Sequence, residues 1–456
     1  MTTTENAPSA GEYRIPAKSR WAGSWKIAAG VGGLGLAGAL YGYVVEPQRF
    51  AYSYLFGFLV PLSLALGSLF FVMVQFVTKA SWGVTVRRVA ELFMRPMPIF
   101  AILVIPLVLL LPQLFPWIGA KHPAAIEAHR DVAGQHGAKA EEPAAIAEAR
   151  GDSTKEPAAM RDLSAPSAKL VKATEASEEK IVEHKRFYLN KQFFLGRLVA
   201  YLLLWYWIAT RFFQWSTDQD KTKALENTAA AQRFAPVGLV IFGVTITFFA
   251  FDWLLSLDAT WYSTIFGVYF FAGMCLFNMA VMILVTLLLL RSDLLGKAVT
   301  VEHLHDMGKL LFGWIAFWSY IAFAQFFLTW YSNIPDEVAF FHKRWHDNGG
   351  TWQGISLALV AFHFFVPFWF LMSRNIKRRL PLLALGAGWM ALLHVMDIYW
   401  IVLPNFGPFE PSLIDLACLV GVFGVYASAV LHGMENYSLV AVGDPRLSRA
   451  LHFENA

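Results

Sequence analysis

The chain has 456 residues, of which 57% are hydrophobic and 16% aromatic, with only 15% charged. Charge-poor apolar runs of roughly 18 residues or more recur along it, each long enough to cross a bilayer, and they show none of the period-two alternation of barrel strands. The formal net charge of +4 follows from Lys and Arg in connecting loops and does not indicate nucleic-acid binding.

Two cysteines, Cys275 and Cys418, lie in separate apolar runs. No CxxC, CxxCH or GxxxxGKS/T pattern occurs, which excludes covalent c-type haem, cysteine-ligated iron–sulfur clusters, thiol redox motifs and a Walker-type nucleotide site. With no water in the hydrocarbon core, each span has to satisfy its own backbone, so the expected fold is all-α.

Residues 1–23 are polar, and no cleavable-signal pattern follows them. Ten transmembrane helices are predicted at 24–45, 51–77, 97–118, 192–214, 234–257, 263–290, 308–332, 352–373, 381–403 and 411–432. The first is rich in glycine (Gly30, Gly32, Gly33, Gly35, Gly38), which weakens the helix but permits close helix contact. Lys and Arg concentrate in the N-terminal segment, in loops 78–96, 211–233, 291–307 and 374–380, and in the C-terminal tail 433–456. The short loops of the other side carry Arg49, Lys343 and Arg344. The positive-inside rule then places both termini in the cytoplasm. The loop 119–191 is different, with 12 Lys/Arg balanced by 12 Asp/Glu and much alanine. Its first part is expected to be disordered and its end, Phe187–Arg197, ordered.

Intramembrane polar residues need a reason, because a carboxylate at mid-membrane costs roughly 2.5–3.5 kcal/mol on insertion scales. Arg197, Asp252, Asp258, Gln325, Asp397 and Asp415 fall in the outer half. His363 and His394 lie near mid-depth with Asn278. His303, His305 and Asp306 lie towards the cytoplasm, where they are candidates for collecting protons or form a solvated helix start with Asp306 near the N-cap. Asp252 sits in FDWLLSLDATWYSTIFGVYFFA, a hairpin flanked by interfacial aromatics. It is either one wall of a proton-handling site or a carboxylate bonded to a neighbouring helix, with Arg197 a candidate partner.

His394 and Asp397 in HVMDIYW share one helix face through i,i+3 spacing. A carboxylate beside an imidazole raises its proton affinity, which suits taking a proton from a donor such as a quinol hydroxyl. A satisfied interhelical contact is the alternative. His363 and His394 on adjacent helices also raise b-type haem ligation, but one His per helix is a weak signal, and neither haem nor metal is expected in this chain.

Four stretches in fixed order, YLNKQFF, FDWLLSLDATWYSTIFGVYFFAG, HDMGKLLFGWIAFWSYIAFAQFFLTWYSNIPDE and HVMDIYWIVLPNFGP, resemble the polysulfide-reductase-like (NrfD-like) membrane subunits. Within that group they are most similar to the F-type membrane subunit of alternative complex III, a bacterial quinol:cytochrome c type oxidoreductase. The resemblance runs from the second span to the tenth and leaves out residues 119–185. It implies two four-helix bundles plus two extra helices in the bacterial cytoplasmic membrane. It also implies outer-face iron–sulfur (molybdopterin-like) and multihaem cytochrome c partners, and a sister C-type membrane subunit that is the better-supported home of the quinol pocket. Quinol (menaquinol or ubiquinol) contact or a proton path would then fall to Asp252, His394 and Asp397, with Arg197 and Asp258 next. Two other functions fit the same residues: an independent proton-coupled secondary transporter and a purely structural membrane anchor. Pro61, Pro106 and Pro367 interrupt spans, but not as the paired breaks a transporter repeat would show.

Overall fold

The computed structural model describes residues 13–119 and 180–454. Most of the loop expected to be disordered, 120–179, lies outside the described residues. Ten helices are long and apolar enough to cross a membrane, and no strand occurs among the described residues. We label them α1 (Ser24–Val45), α2 (Pro47–Val77), α3 (Val84–Leu109), α4 (Lys191–Thr222), α5 (Leu225–Leu257), α6 (Phe266–Arg291), α7 (Val301–Ser332), α8 (Gln353–Met372), α9 (Leu380–Asn405) and α10 (Leu413–Asn436).

Helices α2 to α5 pack on one another, as do α6 to α9, and α2 packs against α6 to join the two groups. The remaining helices, α1 and α10, pair with each other and lie against α2. This is the expected arrangement of two four-helix bundles plus two. Helix α2 is the hub: nearly all of its residues from Arg49 to Phe76 are buried. A helix that is apolar nearly all round suits this central position.

The glycines of α1 work as the close-contact surface their spacing suggests. A Cβ on Gly35 would lie 2.4 Å from the backbone nitrogen of Gly421, and one on Gly424 would lie 2.6 Å from the Cα of Gly32. The two backbones touch, which is how helices gain van der Waals packing where lipid removes the hydrophobic drive. Ser428 Oγ of α10 donates to Trp25 O of α1 at 3.0 Å, so the N-terminal end of α1 and the C-terminal end of α10 share one face, called here the terminal face.

Several boundaries differ from the sequence expectation. The third helix begins at Val84, ahead of the expected 97, and every residue from Val84 to Met94 is buried. Arg87, Arg88 and Glu91 made this stretch read as a loop; their charges are cancelled inside the protein. Beyond Arg95 the helix breaks into short pieces at Pro96, Pro98, Pro106, Pro112 and Pro116, each of which lacks a backbone N–H. The expected loop 211–233 is mostly helix, since α4 continues to Thr222 and α5 starts at Leu225, with Lys223 in the left-handed region (φ 57°) between them. Alanine, Glu, Gln and Lys there are good helix formers that need no burial. Helix α7 begins at Val301 rather than 308, and Thr300, not Asp306, is its N-cap. The end of the long loop is ordered as expected: Asn190 Oδ1 accepts from Phe193 N at 2.9 Å and caps α4.

Candidate functional site

Four acids were singled out in or beside the outer half of the spans, and three of them are held by cations. Asp252 of α5 receives both Nε and Nη2 of Arg197 at 2.8 Å and the hydroxyl of Tyr201 at 2.8 Å, so the pair suspected from sequence forms and is saturated. Arg197 also lies over the rings of Tyr188 and Phe193. Asp415, at the first turn of α10, accepts from Arg49 at 2.9 Å, Ser53 at 2.5 Å, Tyr399 at 2.9 Å and the backbone N–H of Ser412 at 2.9 Å. It ties α10 to α2 and α9 and caps its own helix.

Asp258 follows α5, outside the spans. It pairs with Lys343 at 2.7 Å and accepts from Thr260 at 2.7 Å. Burial opposes its ionisation, but the charge and hydrogen bond of Lys343 outweigh that and hold the carboxyl down to about 2. A depressed carboxyl contributes stability above its unfolded pKa, roughly 3.9, and loses it as pH falls towards 2. Asp258→Asn should therefore flatten the acid side of the stability–pH profile between those limits, read by thermal melting at stepped pH. An unchanged acid limb would mean that the pair contributes nothing.

Asp397 is different. It is buried in α9, and its oxygens accept from the Tyr269 hydroxyl and from Trp318 Nε1, the latter at 3.3 Å. Neither partner carries a charge. One turn earlier on α9, His394 is fully buried, with Phe277 stacked on its ring at 4.7 Å between centroids. Its Nε2 lies 3.0 Å from Ser63 Oγ, and Ser63 Oγ donates its own proton to Val60 O at 2.7 Å. The serine oxygen is then left to accept, so the hydrogen-bond network assigns the proton to Nε2. That leaves Nδ1 as a bare lone pair, and it has no hydrogen-bond partner.

Both groups pack close over the bare Cα of Gly273, where a side chain would crowd the His394 ring. A Cβ built there would lie 3.2 Å from His394 Nδ1 and 3.6 Å from Asp397 Oδ2. Tyr269, Gly273 and Phe277 follow one another at i,i+4 spacing on α6, so a single stripe presents a hydroxyl, a bare Cα and a ring to α9. His363 of α8 completes the cluster. It sits in a π-helical turn, Val360–Phe365, is fully buried, and packs its ring 3.8 Å from that of Trp318. Neither of its ring nitrogens has a partner. Such turns concentrate at functional sites. Pro367, which cannot donate to His363 O, gives this one a local cause.

Arg344, on the helix Pro335–Trp345 outside the spans, lies at the end of α9 away from the terminal face. Its guanidinium donates to the carbonyls of Phe340, Trp400 and Ile401 at 2.8–3.2 Å and stacks on the Phe340 and Trp400 rings. Burial disfavours its charge, while Tyr269, Asp258 and Asp397 favour it. It is a cation at a helix C-terminus, one turn beyond Asp397.

The other candidates are placed elsewhere. Gln325 bonds Ser263 and Thr329 within the outer half. His303 is buried in structural use: Nδ1 accepts from the Thr300 N–H at 3.2 Å, and Nε2 faces Ala450 O at 3.0 Å. His305 is buried with Nδ1 unpartnered, and Asp306 pairs with Lys309 at 2.5 Å. Thus His394, Asp397 and His363 come together, whereas Asp252 shares no hydrogen-bond partner with them.

Sequence reasoning missed Ser63, Tyr269, Gly273 and Trp318; the i,i+4 stripe in YFFAG was the signal for two of them. It also missed a cavity of about 330 Å³ between α2, α6 and α7 that starts near Thr78 and Trp82 at the terminal face and reaches Gln75, Asn278 and Gly67. Asn278 Oδ1 accepts from Ser68 at 2.6 Å, and Gln75 Oε1 is buried without a partner. Gly67 is one turn of α2, about 6 Å, from Ser63. Among the described residues no three His, Cys, Asp or Glu side chains converge as metal ligands. No protein-family model matches the chain, and no curated protein is similar to it.

Proposed function

We propose that the chain is an integral membrane subunit of a quinol oxidoreductase complex, of the polysulfide-reductase-like kind, and that His394 and Asp397 receive and pass on the protons released on quinol oxidation. The observation that carries this reading is the bare, buried Nδ1 of His394, packed with Asp397 Oδ2 against the same glycine, Gly273. An unpaired buried acceptor costs about 1–3 kcal/mol, a burden that a proton on Nδ1 relieves.

Quinol oxidation releases two protons and two electrons. A hydroxyl proton passes to Nδ1, whose imidazolium is stabilised by the adjacent carboxylate, and Asp397 offers the second acceptor. The cavity from the terminal face presents the polar side chains of Gln75 and Asn278, and Asn278 accepts from Ser68 on the α2 stretch that also carries Ser63. The electrons leave to iron–sulfur and multihaem c-type partners on the outer face. The charge bias of the loops puts the terminal face in the bacterial cytoplasm. The transporter reading is weakened because Asp252, Asp258 and Asp415 are already saturated by Arg197, Lys343 and Arg49 and are not free as substrate ligands.

Purification of the tagged full chain in mild detergent from cells that make it natively tests the proposal. Iron–sulfur and c-type haem subunits should accompany it, with a haem spectrum that reduces on adding quinol. A chain that arrives alone and colourless overturns the reading.

A further inference from the structure

A second concavity, a cleft of about 690 Å³, runs between the α1–α10 pair on one side and α2, α6 and α9 on the other. Its lining is apolar apart from Ser24 at the end near the terminal face, whose hydroxyl is spent on Trp21 O at 2.8 Å. Ile27 and Leu392, on opposite walls, are 71% and 66% exposed, so the cleft is open to bilayer hydrocarbon.

Its inner end touches the site just described. Phe277 lines the cleft and stacks on the His394 ring. Val60 lines it and provides the carbonyl that orients Ser63. Ala391 and Val395 line it from the helix that carries His394.

From this continuity we infer that the cleft is the binding site for the prenyl tail of the quinol, with the head group directed past Phe277 towards His394. The inference rests on the proposed function. The lining carries no polar group able to satisfy a head group, so only hydrocarbon fits along its length. What commits the cleft to a quinol tail rather than a phospholipid chain is its continuity with the His394 site through Phe277. The glycine contacts between α1 and α10 hold the outer wall as a unit, so the cleft is framed before the tail arrives. Phe277 is the partition between cleft and imidazole.

Two measurements on the purified complex in lipid nanodiscs test this. In the first, a menaquinone analogue with a photoreactive diazirine at mid-tail is irradiated and the labelled peptides are mapped. Label should fall on α1 and α10 beside Ile27, Ala28 or Phe423, and excess unlabelled long-tailed menaquinone should suppress it. In the second, Ala427→Phe, which puts a ring into the cleft from α10, where Ala427 lines it, should raise the KM for a long-tailed quinol about tenfold, equivalent to about 1.4 kcal/mol. The kcat and KM for a tail-less quinol should stay as in the wild type.

Label that phosphatidylglycerol displaces and menaquinone does not would overturn the tail site, as would an unchanged KM in a well-folded Ala427→Phe complex. Either result leaves the proposed function standing, provided that the wild-type complex still oxidises quinol. A wild-type complex that oxidises no quinol removes the proposed function and the tail site with it.

Discussion

Glu91→Ala should lower the stability of the detergent-solubilised protein by about 3–5 kcal/mol, the cost of leaving buried cations without their partner. Glu91 is completely buried and takes Arg87 Nε on one oxygen and Arg88 Nε on the other, both at 2.7 Å. Arg87 continues to Asp444 at 2.8 Å and Arg88 to Asp220 at 2.8 Å. Asp444 lies in the C-terminal segment, outside the spans. Burial opposes its ionisation, but the charges of Arg87 and Arg446 outweigh that and hold its carboxyl well below the usual range. The network therefore joins the start of α3, the end of α4 and the segment after α10. Removing Glu91 leaves a net positive charge with no water to solvate it. Glu183→Ala is the control: the Glu183–Arg186 pair is exposed, and exposed pairs contribute about 0–1 kcal/mol. Thermal melting of both variants in the same detergent compares them. Equal melting temperatures would show that the buried network contributes no more than a surface pair.

Asp397→Asn and His394→Ala should each lower quinol-dependent turnover of the complex by about 100-fold or more, the usual contribution of a positioned acid or base. Asn at 397 keeps the shape and can still meet Tyr269 and Trp318, but it cannot hold a released proton. Alanine at 394 removes the bare Nδ1 and leaves Ser63 without its partner. The informative contrast is Asp252→Asn, which strips Arg197 of its bidentate partner. Its effect should fall on stability, with turnover of the surviving folded complex close to wild type. Measuring turnover per folded complex for all three separates the two roles. If Asp397→Asn and His394→Ala turn over normally, the cluster is a packing contact and the chain an anchor.

The sequence pointed to Asp252 and Asp397 alike, as acids within apolar runs. Only the structure tells them apart. Asp252 meets an arginine from a helix 55 positions away in the chain, whereas Asp397 meets a phenol and an indole. His394 was visible as the i,i+3 partner of Asp397, but its unpaired nitrogen was not. Which nitrogen is bare depends on Ser63, 331 positions away, and on that serine's own bond to Val60. Glu91 was hidden for the opposite reason. Its neighbours Arg87 and Arg88 looked like a solvated loop, because a local window sees three charges and not the aspartates at 220 and 444 that neutralise them.

What the sequence determined by itself is what bilayer physics imposes on a linear chain. Apolar runs of spanning length have to be helices, their number and order follow directly, and the glycine spacing of α1 marks a surface for close contact. The tertiary structure decided which helix face meets which neighbour. In a membrane that choice has little hydrophobic signature, because lipid and protein interior are equally apolar, so rotation is set by a few polar pairs and small residues from distant parts of the chain. Those same contacts saturate Asp252 and Asp415, leave His394 Nδ1 bare beside Asp397, and open an apolar cleft up to Phe277.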